Sequence, residues 1–363
     1  MDHASTRAMD KEIVSMKRPK NQLLMFSLSM GDKEGALGHV QSWAIEMSRF
    51  FDETILVVTR DQSKTNRSEY FQTIELGGGS VKKRTIAIFR LAALIPLILR
   101  NRKELVVFHH MSTYPLYILG PLIRICGIKQ ILWYSHSMKA KFLGWGLFWV
   151  NFVLSPTKET FPISSKKVIP TNHGVNFRPF HSNILNQRSK SILVVGRVAP
   201  IKKIEQLLIA ISNLPIAYRE VRVIGYEQDP KYLMFLRNMA KELDISISFE
   251  GVFNEKQLNA MYRASKILFT GTPRSIDKVS IECATQGCIP VTTNQNVHQI
   301  INLREWCIES GLVDLTTLSI QAQIDYLFSV DISEEFREKL GNFAYSKNSL
   351  EALCETISGI LRG

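Results

Sequence analysis

The sequence has few cysteines, and their spacing does not suit a metal site or a disulfide framework. The five cysteines among 363 residues are Cys126, Cys283, Cys288, Cys307 and Cys354. They form no CxxC pair and no Cys/His cluster with the spacing of a zinc site. This pattern excludes a disulfide-rich secreted module and favours a reducing, cytoplasmic setting.

The sequence also lacks an apolar run long enough to cross a bilayer, which requires about 20 residues. The longest candidate, 86–99, holds fourteen nearly unbroken apolar positions and is interrupted by Arg90. The first 20 residues are polar and charged, without the apolar segment of a signal peptide. We expect residues 1–21 to form a disordered N-terminal extension.

Several common functional motifs are missing. No G-x-G-x-x-G follows the first strand of either half, which argues against a dehydrogenase on a Rossmann scaffold. No Asp-x-Asp pair is present to hold a divalent ion. Zinc-finger spacing, RNA-binding aromatic motifs and basic helices with heptads are absent too, so nucleic acid is not an expected partner.

Negative charge is scarce in the first half of the chain. Residues 1–180 hold 25 Lys and Arg against 13 Asp and Glu, whereas residues 181–363 hold 20 of each, so the first half carries the whole net charge of +12. Such an excess indicates an anionic partner for this half, either a lipid surface or a phosphorylated acceptor.

Seven cations lie in the segment 82–103, around the apolar stretch 86–99. Two interpretations are open. The stretch could form a helix buried under a sheet, or an interfacial helix whose apolar face dips into lipid while its cations meet anionic headgroups. A second apolar block, 142–154 with Trp145 and Trp149, could join that surface, but it leads into a strand, which favours a core position.

Apolar runs alternate with helical spacing along the chain, the pattern of βαβ units in a mostly parallel sheet. The strand-like runs are 23–28, 53–58, 104–108, 130–134 and 152–154, then, after the polar stretch 182–190, 192–195, 221–224, 245–249, 267–270 and 289–292, with helices such as 232–243 between them. We predict an α/β protein with two doubly wound, Rossmann-like domains, at 22–183 and 184–342, and a C-terminal helix at 343–363 that packs back toward the first domain.

A basic loop follows the first strand of the second half. The run 196–203 contains Gly196, Arg197 and Lys202 directly after the apolar residues 192–195. Ligands collect at the carboxyl ends of strands in open α/β sheets, where N–H groups of the next helix already favour an anion. A guanidinium fork and an ammonium point charge together suit two linked phosphates. A solvated basic loop is the simpler alternative.

Three blocks of the second half carry a resemblance to a known family. They are Val194-Val195-Gly196-Arg197 continuing to Lys202, Phe249-Glu250-Gly251-Val252 continuing through 261–265, and the run 282–291 that begins at Glu282. Together they resemble the retaining glycosyltransferases of the GT-B fold, specifically the large family 4 of nucleotide-sugar-dependent enzymes. The first half is similar in outline, with 31–38, His136, 155–158 and 169–175 in the family's order.

The resemblance implies a UDP- or GDP-linked sugar donor bound by the second domain and an acceptor bound by the first, across a central cleft. Arg197 and Lys202 would stabilise the departing diphosphate, so neither a metal nor another cofactor is expected. His136 would line the sugar pocket. The resemblance also implies retention of anomeric configuration, by attack on the face that the diphosphate leaves, with the diphosphate taking the acceptor's proton.

The remaining site residues are expected to bind the donor or line the cleft. The donor-binding candidates are Glu282, Gly196, Asp277, Arg274, Gly251 and Val252, and the acceptor or cleft candidates are Gly35, Gly38, His109 and His110. Glu282 is expected to accept the two ribose hydroxyls, although an acid at a helix start is also favoured by the helix dipole alone.

The sequence departs from the family at one position. The family places a Glu eight residues before Glu282, where it contacts sugar hydroxyls, and this chain has Arg274 there. Asp277 is the nearest acid that could replace it. Because Arg cannot accept hydroxyl hydrogens, the departure implies either an anionic donor sugar, such as a uronate, or a loss of activity.

Together these observations predict a retaining, metal-independent, hexosyltransferase-like glycosyltransferase. We expect it to act at the cytosolic face of a membrane, in peripheral contact with anionic lipid, on a lipid-linked or anionic glycan acceptor. The alternative is a catalytically impaired GT-B scaffold or a nucleotide-sugar-binding subunit, because a fold does not by itself fix an activity.

Overall fold

The computed structural model describes residues 21–30, 39–61, 68–77, 81–181, 188–273 and 276–363. In these ranges the chain forms two sheets, each built from parallel strands with helices between them. The predicted α/β fold with two doubly wound domains is confirmed. Residues 1–20 of the predicted extension, together with Gly35, Gly38 and Arg274, lie outside the described ranges.

The N-terminal domain is built on a seven-stranded sheet with the order β3-β2-β1-β4-β5-β6-β7. Its strands are β1 (Gln22–Met30), β2 (Glu53–Asp61), β3 (Gln72–Glu75), β4 (Leu105–His110), β5 (Gln130–Trp133), β6 (Phe152–Ser155) and β7 (Val168–Pro170), and its helices are α1 (His39–Ser48), α2 (Val81–Ala92), α3 (Ile95–Arg100), α4 (Thr113–Ile125) and α5 (Leu143–Trp149). Gln22 pairs with Glu53 of β2 and with Leu105 of β4. The strand order therefore reverses between β1 and β4.

Both faces of this sheet are buried. Leu23 and Met25 of β1 pack in a cluster with Trp43 of α1. Leu24 and Phe26 point the other way, into a cluster that includes residues of α2, α3 and α4. All four of these side chains are fully buried, which explains why the run 23–26 of β1 is continuously apolar rather than alternating.

The C-terminal domain is built on a five-stranded sheet with the order β10-β9-β8-β11-β12. Its strands are β8 (Ile192–Val195), β9 (Glu220–Ile224), β10 (Ser246–Phe249), β11 (Ile267–Phe269) and β12 (Ile289–Val291), and its helices are α6 (Ile204–Ile211), α7 (Pro230–Glu242), α8 (Glu255–Ala264), α9 (Lys278–Thr285), α10 (Gln295–Ile300), α11 (Leu303–Glu309), α12 (Ile320–Ser329) and α13 (Glu334–Asn348). The strand order reverses between β8 and β11.

The chain returns to the N-terminal domain through its last helix, α14 (Leu350–Arg362). Ser349 separates α13 from α14 because its backbone is extended, and its hydroxyl accepts the N–H of Ala352. The helix on the N-terminal domain thus begins at Leu350 and not at the predicted 343. Leu353 and Ile357 of α14 pack in the same core cluster as Trp43 of α1.

Two segments that cross between the domains lie side by side. The N–H of Val175 donates to the carbonyl of Asn348 at 2.8 Å, and the N–H of Leu350 donates to the carbonyl of Val175 at 2.9 Å. The path out of the N-terminal domain and the path back into it are therefore joined by backbone hydrogen bonds.

The apolar stretch 86–99 belongs to two helices, α2 and α3, and Pro96 lies in the first turn of α3. Leu91 and Ile98 are buried, whereas Phe89 is 71% exposed. The stretch therefore covers the sheet on one side, as the first interpretation expects, and exposes apolar side chains on the other. Contact of that outer side with lipid stays a prediction.

The block 142–154 is also two-sided. Leu143 is buried as expected of a core segment, but Trp145 is 46% exposed and Phe148 is 74% exposed. The expectation of a core position therefore needs correction for the outer face of α5, because residues three apart on a helix share a face.

Candidate functional site

Three neighbouring strands of the C-terminal sheet end in closely apposed loops. Gly196 follows β8, and Gly225 follows β9; their φ angles are 133° and 154°. A Cβ on Gly225 would lie 1.9 Å from the carbonyl oxygen of Gly196, so only glycine fits there. The N–H of Gly225 donates to the carbonyl of Gly251, after β10, at 2.7 Å, and the following Val252 is 49% exposed.

The loops after β8 and β11 lie at the point where the strand order reverses. The loop after β8 carries Gly196, Arg197 and Lys202, and the loop after β11 carries Thr272 and leads to Asp277. In open α/β sheets the crevice between two such loops is the usual ligand site. The topology therefore brings together residues that are about 75 positions apart in sequence.

The side chain of Lys202 lies across the backbone of Gly196. A Cβ built on Gly196 would lie 2.6 Å from Cε and 2.7 Å from Nζ of Lys202. The ammonium forms an ion pair with Asp277, and the hydroxyl of Thr272 donates to the same carboxylate oxygen at 3.1 Å. Gly196, Lys202 and Asp277, all predicted site residues, thus lie together.

Asp277 occupies the position before the first turn of α9 without capping it. Its side chain accepts no hydrogen bond from the described N–H groups of that turn. Free N–H groups at a helix start carry partial positive charge and favour an anion. An ammonium on one side and a helix N-terminus on the other form an anion-binding edge.

Glu282 is held by two donors on α9 and α8. The ammonium of Lys278, one turn earlier on α9, lies 3.0 Å from Oε1 of Glu282, and the hydroxyl of Tyr262 donates to Oε2 at 3.4 Å. Burial raises the pKa of Tyr262 well above its ordinary value, so this hydroxyl keeps its proton. The carboxylate of Glu282 is nearly buried and fixed in direction.

Arg197 and His136 come from different domains and approach each other. The pKa of the half-buried His136 is lowered by burial and then by the charge of Arg197. The Nδ1 atom of His136 accepts the N–H of Met138 at 3.0 Å, so the neutral ring carries its proton on Nε2. Arg197 is exposed, so its guanidinium is accessible from solvent.

His109 does not line the cleft, which corrects the expectation from sequence. It is fully buried, its ring stacks on Phe26 with centroids 5.2 Å apart, and Nε2 lies 3.3 Å from Oε1 of Gln130. Burial lowers the pKa of His109 to about 4. It is a neutral core residue because it lies on the face of β4 that α4 covers.

His110 points to the opposite face and lies beneath the meeting point of the domains. It is 1% exposed, and its Nδ1 lies 3.1 Å from the hydroxyl of Ser27. Burial is the main cause that lowers the pKa of His110 to about 3, and the charge of Lys278 in the other domain lowers it further. Because it is buried, His110 offers no surface to an acceptor, which corrects its expected place in the cleft.

His173 and Lys278 belong to this region and were not predicted. The ring of His173 packs edge-on against Trp133 at 5.8 Å. Burial, followed by the charge of Lys278, lowers the pKa of His173 to about 3, while Asp277 opposes this shift. The sequence did contain a signal for His173, because this residue lies in the run 169–175 that resembles the family in the first half.

Groups of three or more His, Cys, Asp or Glu that could hold a metal ion do not occur among the described residues. Within the same ranges, each helix is too short or too polar to cross a membrane. All five cysteines are free thiols.

Several solved structures of other proteins share the fold of this chain. No protein-family model and no curated protein matches the sequence. A glycosyltransferase from Rickettsia africae superposes with a TM-score of 0.67 at 15% identity, over 94% of this chain and 98% of that one. Anabaena Alr3699/HepE, solved in complex with UDP-glucose, gives a TM-score of 0.68 at 11% identity, over 94% and 99%.

A third structure, WaaG, a glycosyltransferase involved in lipopolysaccharide biosynthesis, gives a TM-score of 0.62 at 12% identity and covers 94% of this chain and 100% of that one. The chain has the GT-B glycosyltransferase fold. In this fold, Arg197 of the C-terminal domain lies near enough to His136 of the N-terminal domain for its charge to lower the pKa of that histidine.

Proposed function

We propose that the protein is a retaining glycosyltransferase of family 4 that uses a nucleotide-diphosphate sugar. The anion-binding edge formed by Lys202 and the start of α9, at the switch point of the C-terminal sheet, is the observation that carries the proposal. The UDP-glucose complex of HepE supports this donor class. The order of the sequence motifs supports family 4 and, with it, retention.

In the proposed reaction the negative charge grows on the departing diphosphate. Lys202 and Arg197 supply fixed positive charge on either side of that group, and the start of α9 adds N–H donors. Glu282, oriented by Lys278 and Tyr262, accepts the two ribose hydroxyls and fixes the nucleoside. His136 holds the sugar from the N-terminal domain, with a neutral ring that can donate from Nε2.

Binding of nucleotides tests this proposal. The purified chain is titrated calorimetrically with UDP and GDP, and transfer or slow hydrolysis is followed with the matching sugar donors. Lys202→Met should weaken binding by about 10- to 100-fold, the loss expected for a charged hydrogen bond. Lys241→Met is the control. Lys241 lies at the end of α7, on the side of the sheet where the strands begin, and this variant should bind nucleotide as the unmodified chain does. Equal affinity of all three proteins for nucleotide would contradict the proposal.

A catalytically impaired scaffold or nucleotide-sugar-binding subunit is the second candidate. The ion pair between Asp277 and Lys202 favours it, because it adds negative charge beside the group that should bind a diphosphate. A protein that binds a nucleotide sugar but neither transfers nor hydrolyses it would establish this function instead.

We further propose a lipid-linked or anionic glycan acceptor, reached by peripheral contact with the cytosolic face of an anionic membrane. Five free cysteines suit a reducing compartment. Phe89 on α2 and Trp145 and Phe148 on α5 expose large apolar side chains, and the domain that presents them carries the excess of cations. Exposed aromatics beside cations are typical of interfacial binding.

Sedimentation with vesicles tests the membrane contact. Binding to vesicles containing phosphatidylglycerol should fall several-fold in Phe148→Ser and in the triple alanine variant of Lys82, Lys83 and Arg84. Ile209→Ser is the matched control, since Ile209 is 58% exposed on α6 of the other domain. If the control and the test variants sediment alike, the membrane contact lies elsewhere or does not exist.

A further inference from the structure

Asp277 places a carboxylate against the ammonium to which the proposed function assigns a phosphate. Its ion pair with Lys202 is largely shielded from water, since the side chain of Lys202 is 11% exposed and that of Asp277 is 18% exposed. The hydroxyl of Thr272 holds the same carboxylate oxygen at 3.1 Å. Asp277 thus has two donors of its own and stands between the ammonium and the first turn of α9.

Two lysines of the site already have carboxylate partners. Lys202 is paired with Asp277, and Lys278 is paired with Glu282. Arg197 is exposed, and no ion pair joins it to another described residue. A phosphate entering this crevice would meet the carboxylate of Asp277 at close range, where like charges repel strongly in a partly buried site.

We propose that Asp277 competes with the donor's diphosphate for Lys202 and thereby sets the affinity of the site. In the ligand-free protein the carboxylate holds the ammonium; when a diphosphate binds, Asp277 releases Lys202, and when the nucleotide product leaves, the pair forms again. Asp277 is then a positioning residue for Lys202 that weakens nucleotide binding. This inference rests on the proposed function of the same site.

Asp277→Asn removes the charge at nearly constant volume. Calorimetric titration of the full chain with UDP and, separately, with inorganic pyrophosphate should show affinities about tenfold higher than those of the unmodified protein. The ligand-free variant should melt at a lower temperature, because a largely buried ammonium has lost its partner. Asp244→Asn is the matched control. Asp244 is exposed on the side of the sheet where the strands begin, so this substitution should leave the affinity and the melting temperature unchanged.

Two further variants separate competition for Lys202 from a general charge effect. In a Lys202→Met background, the gain from Asp277→Asn should shrink below about threefold, since there is no ammonium left to release. Thr272→Val keeps both charges but loosens Asp277, and it should raise the affinity for UDP about twofold or more. This variant also covers the case in which Asp277→Asn does not fold.

The results of these titrations distinguish failure of the inference from failure of the proposed function. If the unmodified chain binds UDP and neither Asp277→Asn nor Thr272→Val binds it more tightly, the inference fails while the proposed function stands. A gain from Asp277→Asn that persists undiminished without Lys202 overturns the competition for the ammonium. If none of the proteins binds UDP, GDP or pyrophosphate, the proposed function fails, and the inference fails with it.

Discussion

The side-chain oxygen of Asn348 accepts a hydrogen bond from the backbone N–H of His173 at 3.1 Å, although 175 residues separate them in sequence. The side-chain nitrogen of Asn348 donates to the carbonyls of Ile300 at 3.1 Å and Ala344 at 2.8 Å. Asn348 is fully buried. One amide therefore ties the segment that leaves the N-terminal domain to the end of α13.

Replacing this amide should be costly. Asn348→Ala leaves the N–H of His173 and the two carbonyls without their partner inside the protein, so we expect a loss of about 2–4 kcal/mol in the free energy of unfolding. Urea denaturation measures it. Asn213→Ala, at an exposed turn position, should change stability by less than about 0.5 kcal/mol. Equal midpoints for the two variants would show that the amide does not join the segments.

Gly196→Ala should damage the proposed donor site. The new methyl group would lie 2.6 Å from Cε of Lys202, at a φ of 133° that side chains rarely adopt. Lys202 would have to leave its position, so the affinity for UDP should fall at least about tenfold.

Gly311→Ala is the control for backbone strain in that experiment. Gly311 also has a positive φ, of 65°, but a Cβ there meets nothing within 4 Å. It should lose about 1–2 kcal/mol of stability without losing nucleotide affinity. If both variants bind UDP equally well, the placement of Lys202 over Gly196 is not needed for binding.

The stability of the N-terminal domain should depend on pH through buried histidines. Burial lowers the pKa of His110 and His173 to about 3 and that of His109 to about 4, whereas an unfolded histidine has a pKa of about 6.5. Below pH 6.5 the unfolded chain therefore binds more protons, so stability falls as the pH falls toward 4 and is insensitive to these groups above pH 7.

Urea unfolding at pH 7 and pH 5 measures this effect. Each buried histidine should cost on the order of 2 kcal/mol over that interval, from the slope of about 1.4 kcal/mol per pH unit per proton. His110→Gln should flatten the pH dependence by one proton, whereas Asn213→Gln, which changes a non-titrating side chain at an exposed turn position, should leave the slope as it is. A stability that does not change between pH 7 and pH 5 would refute the assignment of neutral buried rings.

His136→Ala should separate transfer from nucleotide binding. His136 belongs to the N-terminal domain, while Lys202, Glu282 and α9 belong to the other domain, so UDP affinity should change less than about twofold. Sugar transfer should fall at least about tenfold, because a positioned hydrogen-bond donor to the sugar is lost. Transfer at the unmodified rate would remove His136 from the site.

The strands with strong apolar patterns were predictable, and the others were not. The predicted strand at 192–195 matches β8 (Ile192–Val195) because its four residues are buried on both faces. β3 (Gln72–Glu75) was missed, since it is an exposed edge strand without an apolar run. The local pattern of apolar residues reports burial, and the side chains of an exposed edge strand such as β3 are mostly not buried.

The loops that carry the candidate site could be predicted from the sequence, whereas the ion pairs between their side chains could not. His109 and His110 are neighbours on β4, so their side chains must point to opposite faces, and this periodicity already excluded a common role in the cleft. The pairing of Lys202 with Asp277 joins residues 75 positions apart and depends on how the loops after β8 and β11 meet. Composition and spacing contain no measure of that distance.

The position of α14 has a consequence for the order of folding. Leu353 and Ile357 complete the hydrophobic core around Trp43, yet a ribosome must synthesise the whole C-terminal domain before it reaches them. The nascent N-terminal domain therefore emerges with an uncovered apolar face, which α14 covers only after the C-terminal domain has been translated.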